Sequence, residues 1–75
     1  MKKNKKPREF IYRIELICKS DNGAPFYVPL SEFFYDKERA NTELKYYEDK
    51  MDHYRDTIAF PIMGYGPMVV RYRKL

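Results

Sequence analysis

The chain has one cysteine, Cys18, and no tryptophan among its 75 residues. A lone cysteine excludes an intramolecular disulfide and any multi-cysteine zinc site within the chain. A reducing, cytoplasmic location is the expectation that follows. Histidine is equally scarce: His53 stands alone, and no serine or cysteine is tied to it by a strand-turn-helix context. Asp49 and Asp56 lie at helical spacing from it and read as solvated, so a non-enzymatic protein with no catalytic, cofactor or metal residue is expected. Long apolar runs are missing too. Lys2, Lys3, Lys5 and Lys6 look like the start of a signal peptide, but Arg13 and Glu15 interrupt the apolar stretch that should follow. Neither a secretion signal nor a membrane span is expected.

A chain of this length holds one domain with one small core. Eight tyrosines and five phenylalanines compensate, since each can bury roughly 150–250 Å²; some of them should face outward. The net charge of +4 is uneven, with local sums of +5, −2, −2 and +3 over residues 1–20, 21–35, 36–56 and 57–75. Residues 1–8 read as a basic tail, either a solvated extension or a contact for a polyanion, and 9–75 as the domain.

The strongest pattern is Asp36 to Ile58, where Ala40, Leu44, Tyr47, Met51, Tyr54 and Ile58 recur at alternating steps of four and three. That spacing predicts one long amphipathic helix, capped by Asp36 and ending near Thr57. Glu9 to Lys19 alternates instead, as a strand should, with Phe10, Tyr12, Ile14, Leu16 and Cys18 on one parity. Ser20-Asp21-Asn22-Gly23 reads as a tight hairpin turn. A second strand follows at Ala24 to Leu30, in which Pro25 and Pro29 share a parity and mark an edge. Met68 to Lys74 alternates again, with Met68, Val70 and Tyr72 opposite Val69, Arg71 and Arg73.

These elements predict an α+β fold: a two-layer ββαβ domain with a three-stranded antiparallel sheet, order 2-1-3, and one long helix packed on one face. The helix should cover Tyr12, Ile14, Leu16, Phe26, Val28, Val70 and Tyr72. The open face should then carry Ile11, Arg13, Glu15, Ile17 and Lys19 from the central strand, Tyr27 from one edge, and Val69, Arg71 and Arg73 from the other.

Cations set among apolar and aromatic groups suit an acidic, partly apolar protein surface, and they also suit phosphates beside stacked bases. Arg13, Ile17, Lys19, Tyr27, Arg71 and Arg73 are therefore the expected partner-binding residues. A protein partner with an acidic patch is the first expectation and nucleic acid the alternative; homodimerisation through the open face is compatible with both. A secondary surface is expected on one helix edge, from Arg39, Tyr46, Lys50 and His53, with Tyr65 from the uncharged stretch Phe60 to Met68. In that stretch Phe60, Ile62, Met63 and Tyr65 either tuck under the sheet or stand out as an apolar anchor. The glycines there lack phosphate-loop spacing and carry no weight in this reading. Small strand-strand-helix-strand domains of this kind occur among phage-encoded inhibitors of host proteins, a likeness of fold that rests on no shared motif. A small regulator or inhibitor that occupies another protein's surface is the function expected.

Overall fold

A computed structural model describes residues 9–74, apart from the side chain of Tyr65; the expected basic tail lies outside the described residues. The element order is β1 (Phe10–Lys19), β2 (Pro25–Pro29), α1 (Lys37–Glu48), α2 (Met51–Thr57) and β3 (Ile62–Arg73). The fold is α+β. Its sheet is antiparallel in the order β2-β1-β3, as the proline argument requires. Among the described residues no helix is long and apolar enough to cross a membrane.

Hydrogen bonds show why β2 is an edge. Leu30 donates to the Ile14 carbonyl, so by the alternation of an antiparallel ladder the amides of Phe26 and Val28 also point at β1. Pro25 and Pro29 occupy the outward positions, where no donor is required. The connecting turn is the expected tight hairpin. Ser20 donates to Ala24 and Gly23 to Ser20; Gly23 alone has positive φ, at 89°. Asn22 keeps ordinary backbone angles and uses its side-chain oxygen instead, accepting from Ser20 Oγ at 2.6 Å and the Ala24 amide at 3.0 Å. A three-residue loop with glycine in the left-handed position is the result.

The expected single helix is two. Lys50 donates to Tyr47, three residues back, at 3.1 Å, and its backbone angles of −100° and 15° leave the helical range. The bend falls in a polar stretch and keeps the apolar stripe against a twisted sheet. Ala40 is buried, and Leu44, Tyr47, Met51, Tyr54 and Ile58 are all half-buried, whereas most of their helical neighbours are exposed. The cap is as expected, with Asp36 accepting from the Glu38 amide at 3.1 Å. On the sheet the core consists of Ile14, Leu16 and Cys18, all fully buried, and burial pushes the Cys18 thiol up.

The main correction concerns β3, which begins at Ile62 rather than Met68. Ile17 pairs with Met63 but Glu15 with Met68, so two steps on β1 face five on β3. The excess is taken up by a bulge over residues 64–67, in which Gly64 and Gly66 have φ of 77° and 121°. An odd number of extra residues inverts which parity of a strand meets which face. Val70 and Tyr72 therefore share a face with Arg13, while Arg71 and Arg73 pair with Tyr12 and Phe10 on the opposite, helix-side face. The expected cluster of Arg13, Arg71 and Arg73 does not form.

Candidate binding surface

The face away from the helices is built in rows. Tyr27, Ile17 and Met63 lie side by side, then Pro29, Glu15 and Met68, then Arg13 and Val70, then Ile11 and Tyr72. Tyr27 is 49% exposed, Met63 36% and Met68 40%, with Ile17 half-buried between them. Lys19 is exposed at the end of β1. This surface is far more apolar than the alternation of β1 alone suggests.

One end of the same face is closed by a polar and aromatic cluster. Residues 31–35 extend the β2 side of the sheet: Phe34 exchanges backbone hydrogen bonds with Tyr12 at 2.6 and 2.8 Å, and Ser31 Oγ accepts from the Ile14 amide at 2.9 Å. Phe34 thus shares the helix side with Tyr12, and Phe33 falls on the other side. There its ring meets Tyr72 edge to face at 5.7 Å and lies 4.3 Å from the Arg13 guanidinium. Arg13 Nε donates to Glu15 Oε2 at 2.8 Å, and the Tyr72 hydroxyl donates to the same oxygen. Glu15 is fully buried, and Oε1 has no hydrogen-bond partner among the described residues. The hydrogen bond to Glu15, with burial behind it, raises the Tyr72 phenol above its ordinary range, and the same carboxylate raises Arg13. Arg13 is therefore engaged inside the domain, and what it offers a partner is the edge of a filled cluster.

Arg71 and Arg73 are exposed on the other face, stacked over Phe10 at 4.4 and 5.5 Å. The residues of the secondary surface lie on α1, at the helix break and on α2. Arg39 pairs with Glu43 at 3.3 Å and stands 5.9 Å from the Phe34 ring. Tyr46, 55% exposed, lies 5.0 Å from the Lys50 ammonium and raises that group through a hydrogen bond. His53 is exposed beyond the helix break, edge-on to Tyr54 at 5.8 Å. The break at Asp49 and Lys50 falls between Tyr46 and His53 in the chain. Tyr65 belongs to β3 by its backbone; its side chain is outside the description.

Phe33, Met63, Met68 and Tyr72 are the members of the surface that sequence reasoning missed, and Glu15, expected on this face, is there but buried. The i,i+2 spacing of Arg13 and Glu15 was the available signal for their ion pair. Among the described residues no group of three or more His, Cys, Asp or Glu side chains is placed to hold a metal. No family model, no curated protein and no solved structure matches this chain.

Proposed function

We propose that this is a non-enzymatic protein-binding module, a regulator or inhibitor acting by occupying the surface of another protein through the face centred on Ile17. The observation that carries this reading is the row Tyr27, Ile17, Met63 with Met68 beside it: exposed aromatic and thioether side chains in one patch on a rigid sheet. Aromatic residues and methionine are enriched in the cores of protein interfaces, where charge is depleted. Lys19 supplies a cation at the rim, which suits a partner that is apolar at the centre and acidic at its border. A cytoplasmic setting fits a free, buried Cys18. The nucleic-acid alternative retains Arg71 and Arg73, and Lys74 beside the exposed Tyr35 ring at 5.4 Å, but Tyr27 lies on the face opposite the two arginines, so the arginine pair and the main apolar patch are not combined on one surface.

Affinity capture from lysate, with and without nuclease, tests the proposal. Tyr27→Lys with Met63→Lys should remove a nuclease-resistant protein partner, because burying the new ammonium groups in an apolar interface is costly. Both substitutions add positive charge. Capture that is nuclease-sensitive and undiminished in the double variant overturns the proposal in favour of nucleic acid.

A further inference from the structure

The two edges of the sheet are not equivalent. On β2 the outward positions Pro25 and Pro29 have no amide to offer. On β3 the alternation runs the other way. Lys74 donates to Glu9, and Lys19 donates to Pro61, so the odd residues of β1 face β3. Val70 and Tyr72, paired with Arg13 and Ile11, point their backbone groups at β1, and those of Val69, Arg71 and Arg73 point away from the sheet. No hydrogen bond reaches these outward groups among the described residues. The bulge at 64–67 interrupts the lower part of this edge but leaves 69–73 straight.

The side chains on this open stretch select what can pair with it. Arg71 and Arg73 have no carboxylate partner among the described residues, and both are steadied by the Phe10 ring. Residues 57–75 contain no acidic side chain. A second copy is a poor occupant. Antiparallel self-pairing centred on Arg71 or Tyr72 sets arginine directly opposite arginine, and centring on Val70 leaves the two Arg71 side chains diagonal, about 7–8 Å apart. Like charges at those positions oppose association.

We propose that the β3 edge over residues 69–73 binds an extended, acidic segment of a partner protein by strand addition. The incoming strand carries carboxylates opposite Arg71 and Arg73, with apolar residues between them beside Val70 and Tyr72. Backbone pairing supplies affinity, and the two charge pairs supply register and selectivity. Val70 and Tyr72 adjoin the Ile17 face, but Tyr27 and Met63 lie off this stretch, so either proposal can fail without the other.

The test uses a capped peptide, acetyl-Ser-Val-Glu-Val-Glu-Val-Ser-amide, titrated into the full chain while amide hydrogen exchange is followed by NMR. Exchange at Val69, Arg71 and Arg73 should slow on binding. The same peptide N-methylated at both glutamates, or with lysine in their place, should lose binding. Arg71→Glu with Arg73→Glu should lose the acidic peptide and gain the lysine version, a swap that an unfolded variant cannot produce. Tyr27→Lys with Met63→Lys should leave peptide binding intact. Absence of binding, binding with those three amides unprotected, binding that survives N-methylation, or protection arising from self-association without peptide would each overturn the proposal.

Discussion

The Tyr72 hydroxyl donates to Glu15 Oε2 at 2.5 Å, joining β3 to β1 across 57 positions of sequence. A buried carboxylate thereby holds the two longest strands in one register, since a slip of one residue would carry Tyr72 to the opposite face. The arrangement also couples folding to the protonation of a phenol. Tyr72 is raised first by its bond to Glu15 and then by burial. Its contribution to stability is complete below the unfolded tyrosine value, about pH 10, and is lost as pH rises through the higher folded value. Alkaline titration followed by circular dichroism should show unfolding that begins above about pH 10. Tyr72→Phe should lower stability at neutral pH and weaken this alkaline dependence. Cys18, Tyr47 and Tyr54, all raised first by burial, should contribute to the part that remains. An unchanged alkaline slope in Tyr72→Phe would show that the bond does not couple to folding.

Arg13 and Glu15 should behave as a buried pair despite the partial exposure of Arg13. Removing the cation alone strands a carboxylate that has no access to solvent. Arg13→Met should therefore cost about 3 kcal/mol, and Arg13→Met combined with Glu15→Met should recover much of that loss. A double-mutant cycle on urea midpoints measures the coupling. Additive single costs would mean that the pair is worth no more than an exposed one.

The parts of the fold that were legible before the structure are those governed by side-chain periodicity. Ala40, Leu44, Tyr47, Met51, Tyr54 and Ile58 face the sheet because their spacing matches a helix, and the stripe persists through the break at Lys50. Pro25 and Pro29 marked an edge because a missing amide has only one tolerable direction. The face of Arg71 and Arg73 was not legible in this way. Alternation within 68–74 gives two equally regular assignments, and the choice between them depends on how many residues the bulge at 64–67 absorbs. That number is a property of backbone angles at Gly64 and Gly66, which leave no periodic trace. The candidate surface differs from expectation for the same reason: Arg13, Ile17, Tyr27 and Lys19 lie on the expected face, but Met63 and Met68 join them in place of Arg71 and Arg73.

Packing of the helical stripe yields a direct comparison between neighbours. Leu44 is half-buried and Lys45 exposed. Leu44→Ala should cost about 2 kcal/mol, near the lower end for leucine because the site is not fully enclosed, while Lys45→Ala should lie within about 0.5 kcal/mol of the parent. Thermal melts compare the two. Equal midpoints would show that α1 does not pack through this stripe.

The bulge itself can be tested through its glycines, which differ in what surrounds them. A β-carbon on Gly64 would sit 3.5 Å from Ile17 Cγ2, an ordinary contact, and its φ of 77° lies near the left-handed region. On Gly66 the β-carbon would meet Met51 Sδ at 3.3 Å, and φ there is 121°, an angle that residues with side chains rarely adopt. Gly66→Ala should accordingly cost about 2–3 kcal/mol and Gly64→Ala about 1 kcal/mol. Shortening the neighbour separates sterics from backbone strain: Met51→Ala should relieve the contact at position 66 but not the strained angle, so combining it with Gly66→Ala should restore little. Because the bulge decides which face carries Arg71 and Arg73, the more damaging substitution should also disturb the amide shifts of both arginines and of Tyr72. Gly66→Ala tolerated at full stability, with those shifts unmoved, would mean that the parity inversion does not depend on this glycine.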